Sequence, residues 1–145
     1  PLSIRHLTQS PRGLTALGLQ YYGSPRARDV LAVQQNEQVT PIPLPAAVTE
    51  RMKNYCGSIR FDQTGDFLAA TSPKGGYCAI LKRSGSTLRF HAGLEIPDVC
   101  GVAAWRQRGH FLLTSGTGLM ARYDAAAGKM IAQHQTPWAF DNHCS

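Results

Sequence analysis

Apolar residues fall at every second position in short runs, and glycine-containing polar turns cut those runs. Ser58-Ile59-Arg60-Phe61 alternates, Asp62-Gln63-Thr64-Gly65 turns, and Phe67-Leu68-Ala69-Ala70-Thr71 continues as an apolar run. Period-two alternation reads as a half-buried strand and a Gly-terminated polar loop as its connection, so this stretch predicts a hairpin. The same spelling predicts strands at 102–105 and 111–115 around a turn at 106–109, then strands at 119–123 and 129–134 around a turn at 124–128. One segment departs from the pattern. Residues 45–55 place Pro45 at a first helical position and Val48, Met52 and Tyr55 at i, i+4 and i+7, which predicts a short amphipathic helix covering a sheet edge.

The pattern repeats. Cys56-Gly57 and Cys100-Gly101 are 44 residues apart, as are Phe61 and Trp105, Gly65 and Gly109, and Phe67-Leu68 and Phe111-Leu112. A further step of 44 from Cys100 lands on Cys144, and a step of 52 lays Gly13 on Gly65. Periods of roughly 40–50 residues point to propellers, whose units bury their apolar faces only against one another. The expected fold is all-β: a partial β-propeller of about three four-stranded blades with one linking helix. Its units are about 1–55, 56–99 and 100–141, with the start of a next strand at 142–145. Three units cannot close a ring and the chain opens at Pro1, so a piece of a longer protein is expected, self-associating through open blade edges when isolated.

Composition narrows the classes. With 43% hydrophobic and 17% charged residues the chain fits a soluble domain, and no run of 18 apolar residues offers a membrane span. The net charge of +6 raises nucleic-acid binding, but the basic residues are scattered and no aromatics interleave with them, so that partner is set aside. Cys56, Cys100 and Cys144 at equivalent repeat positions would lie too far apart to pair as disulfides and read as buried packing residues. No C-x-x-C pair supports a zinc site.

Several phrases carry a family resemblance: Leu2-Ser3-Ile4-Arg5-His6-Leu7, Thr71-Ser72-Pro73-Lys74-Gly75-Gly76, Asp98-Val99-Cys100-Gly101-Val102-Ala103, the stretch 111–118 and Trp138-Ala139-Phe140-Asp141-Asn142-His143. Together they resemble the carboxy-terminal portion of a bacterial family of unknown function, the domain of unknown function numbered fifteen-thirteen. That resemblance implies a WD40- or YVTN-like propeller, seven-bladed when complete, exported to the periplasm and encoded beside imelysin-type iron-uptake lipoproteins. The family's biochemical role is not established, so the resemblance supplies location and context rather than a reaction.

A propeller gathers ligands where its innermost strands begin, because those turns ring the central channel. The polar residues expected there are Arg5, His6, Ser58, Asp98, Asp141, Asn142 and His143. His6, Asp98, Asp141 and His143 offer imidazole and carboxylate ligands of the kind that suits iron, copper or zinc. Arg5 could instead grip a carboxylate or phosphate, and in the structural reading all of these groups bond backbone and fix neighbouring blades. Gly116-Thr117-Gly118 and Lys74-Gly75-Gly76 precede no helix and make no phosphate loop, and Ser72 and Ser115 lack a nucleophile elbow. Trp105 and Phe61 are expected in the core. No catalytic set or cofactor loop can be assembled. The expected function is a non-enzymatic periplasmic scaffold binding a protein partner or small ligand, linked to iron acquisition. The alternative is a metal-binding or metal-dependent enzyme using the channel rim.

Overall fold

The structure is a computed structural model that describes residues 1–23 and 25–142. Within them the chain folds into three four-stranded antiparallel sheets. The first holds β1 (Leu2–Gln9), β2 (Thr15–Tyr21), β3 (Leu31–Gln35) and β4 (Gln38–Pro41). The second holds β5 (Ser58–Phe61), β6 (Phe67–Ser72), β7 (Tyr77–Ser84) and β8 (Thr87–Glu95), and the third β9 (Val99–Ala104), β10 (His110–Ser115), β11 (Leu119–Asp124) and β12 (Lys129–Gln135). Each sheet is a meander, and the first strands touch across sheets, β1 with β5 and β5 with β9. The end at which β1, β5 and β9 begin is called upper below, and the end at which they finish, lower.

The second sheet is buried on both faces, which is why β6 and β7 read as continuous apolar runs rather than as alternation. Leu68, Ala70, Ala79 and Leu81 pack toward the first sheet with Leu14, Leu31 and Ile59. Phe67, Ala69, Cys78 and Ile80 pack toward the third sheet with Val102, Phe111 and Leu113. Outer strand β12 is mostly exposed, matching its polar sequence.

Pairing corrects the repeat. Ile59 pairs with Ala70 and both face the first sheet, whereas the pair facing the second sheet from the third is Val102 with Leu113, 43 residues on from Ile59 and Ala70 rather than 44. A one-residue slip turns every side chain to the other face. Phe67 and Phe111, aligned by sequence, therefore meet in the same core from opposite sides. Ala104, paired with Phe111, takes the place that Phe61, paired with Leu68, holds in the second sheet. Trp105 falls one residue beyond, half-buried beside Leu112 and Met120 on the far face of the third sheet, not in the core. Cys56 and Cys100 are likewise not equivalent, although both are buried free thiols. Between the first two sheets the offset of 52 holds at the turn: Gly13 N–H donates to Ser10 O as Gly65 N–H donates to Asp62 O.

The helix α1 (Ala46–Arg51) is shorter than predicted. Pro45 is its N-cap, Met52 closes it, and Lys53 and Asn54 adopt left-handed φ of 49° and 57°. The Asn54 side chain accepts from Arg28 N–H (2.8 Å) and donates to Arg26 O (3.0 Å), and its carbonyl accepts from Tyr21 N–H (3.0 Å). Those bonds to the first sheet end the helix. Val48, Met52 and Tyr55 all point into the protein, as their spacing requires.

Candidate functional site

At the upper end the chain after β12 returns to the first strands. Phe140 O accepts from Cys100 Sγ (3.3 Å) and Phe140 N–H donates to Ser115 O (3.4 Å). Asn142 Nδ2 then donates to Tyr55 Oη at 2.8 Å, reaching the second sheet's side of the rim. This approach is close because Gly57 lacks a side chain: a Cβ there would lie 2.6 Å from Pro73 Cδ and 3.4 Å from Asn142 Oδ1. Lys74 Nζ covers the Tyr55 ring 5.1 Å from its centroid.

The other sequence candidates divide around this knot. Asp98 is exposed, with a left-handed φ of 52°; its carbonyl accepts from Gly116 N–H (3.0 Å), and its carboxylate occupies the space a Cβ on Gly116 would fill. Asp141 is exposed and accepts from Asn142 N–H at 2.6 Å. Ser58 is buried, its carbonyl accepting from Thr71 Oγ1 and Cys56 Sγ, each at 3.4 Å. Arg5 and His6 lie inside β1 rather than at its start, beside the bulge between Ile4 and His6. Arg5 reaches Tyr22 Oη at 3.4 Å, and His6 is half-buried. His143 and Cys144 lie outside the described residues. Among the described residues no group of three or more His, Cys, Asp and Glu stands close enough to hold a metal ion. Tyr55 and Lys74, not among the sequence candidates for the rim, belong to it; Tyr55 carried only a helical-stripe signal in the sequence and Lys74 only a turn.

The lower end is bound together by turn carboxylates. Asp62, 2% exposed, accepts from Phe67 N–H (3.0 Å), Thr64 Oγ1 (2.7 Å) and, across the sheet boundary, Gly109 N–H (2.9 Å). Asp66 is shared by Arg12 from the first sheet's turn and Arg108 from the third, the latter at 2.9 Å. Burial alone would raise the Asp66 pKa, but the hydrogen bond and charge of Arg12, with Arg108 and Thr64 adding to them, hold it below the usual carboxylate value. Phe61 N–H donates to Thr8 Oγ1 (3.4 Å) and Arg83 Nη1 to Ser10 Oγ (3.3 Å), tying the first two sheets.

Inside this ring lies a polar depression of about 350 Å³. Thr8 and Gln9 from β1, Arg60 from β5, Gln63 from the following turn and Ala104 from β9 line it, so all three first strands contribute. It was not among the sequence candidates, because its residues come from three separate repeats and none is unusual alone.

The whole chain, residues 1–145, matches a family described as a protein of unknown function (DUF1513). No curated protein matches. Among solved structures it resembles a chain of a mitotic checkpoint complex at 18% identity, with a TM-score of 0.63 over 94% of this chain and 38% of that one. It also resembles the Kuenenia stuttgartiensis hydrazine synthase at 10% identity, with a TM-score of 0.69 over 94% of this chain and 37% of that one. The third is apo AztD from Citrobacter koseri, at 11% identity and a TM-score of 0.64 over 98% of this chain and 38% of that one. Likeness at these identities shows the propeller-like fold alone, and the chain spans less than two fifths of each of those proteins.

Proposed function

The chain belongs to the DUF1513 family over residues 1–145, and from that premise we propose that it forms part of a non-enzymatic periplasmic propeller scaffold that binds a protein partner or a small ligand. The observation that supports this most is how the polar side chains at the sheet junctions are used. Asp62, Asp66, Thr71, Ser72 and Asn142 each bond a neighbouring sheet or connector and so hold sheets in place. That is the work of a scaffold, which presents composite surfaces at the two mouths of its channel. The family resemblance makes iron acquisition the process to test first. One similar structure was determined within a mitotic checkpoint complex, so a fold of this kind does occur inside a protein assembly.

The far faces of the first and third sheets also belong to this reading. Leu2, Ile4 and Leu7 are 55%, 59% and 65% exposed on the first sheet. Trp105, Leu112 and Met120 line a shallow apolar depression on the third. Further sheets of the same kind cover both faces in a longer protein, and the isolated chain self-associates through them.

The test is site-specific photo-crosslinking in cells, with the crosslinker placed in turn at Gln9, Gln63, Asp141 and, on the outer strand β4, Thr40. Discrete adducts from one mouth and none from Thr40 are expected. No adduct from either mouth, in iron-replete or iron-starved cells, overturns the scaffold reading.

A further inference from the structure

Strand direction sorts the charges that look scattered along the chain. Six cations and five carboxylates lie at the upper end: Arg5, Arg26, Arg28, Arg51, Lys53 and Lys74 against Asp29, Glu50, Glu95, Asp98 and Asp141. The lower end is different. Arg60 is the penultimate residue of β5, Lys82 and Arg89 pair across β7 and β8, Arg106 sits on the β9–β10 turn, and Lys129 opens β12. All five are exposed, and none is in an ion pair among the described residues.

The carboxylates at that end are already engaged. Asp62 is buried and accepts three hydrogen bonds. Asp66 is saturated by Arg12 and Arg108. Asp124 accepts from the N–H groups of Ala126 and Ala127 and faces His110. Glu37, on the β3–β4 turn, is the one carboxylate left at this end. Most of the net charge of +6 is therefore displayed on one end, around a polar depression that Arg60 lines.

We propose that the lower end is the docking face for an acidic protein segment, with Arg60 at the channel mouth as its central anchor. This rests on the scaffold reading above and names the partner's chemistry. The unpaired cations belong to the second and third sheets, inner and outer strands alike, a spread that fits an extended chain of carboxylates better than a small anion. A row of guanidinium and ammonium groups steers and holds such a segment through complementary charge. A nucleic acid fits less well, because the strongly exposed aromatics, Tyr22 and Trp138, lie at the other end, and Trp105, half-buried at this one, already has the Arg122 guanidinium over its ring. A membrane surface fits less well too, because none of the large exposed apolar side chains sits on a lower turn.

The experiment measures binding of a labelled poly-glutamate peptide by fluorescence anisotropy across a salt series. It compares the protein with the lower triple variant Arg60→Gln, Arg106→Gln, Lys129→Gln and the upper triple variant Arg28→Gln, Lys53→Gln, Lys74→Gln. Binding should weaken steeply with salt, fall about tenfold or more in the lower triple, and change less than about twofold in the upper triple. Circular dichroism confirms folding, and the single Arg60→Glu substitution, expected to weaken binding by itself, stands in if the lower triple does not fold. No peptide binding at low salt, equal losses in both triples, or tighter binding of duplex DNA or anionic vesicles overturns the proposal. Crosslinked adducts at Gln9 or Gln63 together with no peptide binding would sink the acidic-partner proposal and leave the scaffold standing; absence of adducts at both mouths would sink the scaffold.

Discussion

Cys56 and Cys78 show what burial does to single side chains. Both are fully enclosed; burial pushes each thiol up to about 12, with Cys78 adding to the rise at Cys56. The thiolate is the nucleophile, and almost none exists near neutral pH at such values. Iodoacetamide at pH 8 should leave both unlabelled in the native protein and label both after denaturation, as peptide mass spectrometry would show; rapid native labelling would contradict this burial. That Cys56 and Cys100 are buried packing residues was legible in the sequence. Their places were not. The cysteine-glycine steps align at 44 residues, but pairing runs at 43, so matching letters hold different environments. Trp105 suffers most from that slip, because the place Phe61 holds in the second sheet is taken in the third by Ala104, one residue earlier.

The lower turns repay study as elements. Asp62→Ala would strand the buried N–H groups of Phe67 and Gly109 and loosen the second sheet's turn from the third. A loss of about 2–3 kcal/mol is expected in denaturant unfolding, since an unsatisfied buried donor costs roughly 1–3 kcal/mol. Asp66 acts through its charge. Its folded pKa lies below the unfolded one, so its contribution is full above the ordinary carboxylate pKa and disappears as pH falls through the depressed folded value. Its arginine partners are 52% and 63% exposed, which keeps the effect to at most about 1 kcal/mol. Asp66→Asn should lower stability slightly at pH 7 and match the wild type at pH 2; an unchanged difference across that range would mean the charge is idle. The hairpins around these turns were readable from alternation and Gly position, which are local. The helix end was not, because bonds from Asn54 to the first sheet set it.

At the scale of the whole molecule, the outer faces of the first and third sheets are the least satisfied surfaces, and both carry apolar side chains. Light scattering on the isolated chain should show a weight-average mass that rises with concentration; a monomer at every concentration would mean that those faces need no cover. Leu7→Lys, on the exposed face of β1, should reduce that association without lowering thermal stability by more than about 0.5 kcal/mol, as is usual for surface positions. By itself the sequence determined the all-β class, the four-strand grouping of the hairpins and the burial of Cys56 and Cys100 as packing residues, because period-two alternation, glycine turns and apolar content act over a few residues. Only the tertiary structure decided which face each strand shows its neighbour, that Arg12, Asp66 and Arg108 meet, and that the upper rim is knotted through Tyr55 and Asn142. It also decided that the charge is gathered at one end. A one-residue change of register reverses every face, and antiparallel strand direction carries residues far apart in the chain to the same end of the protein.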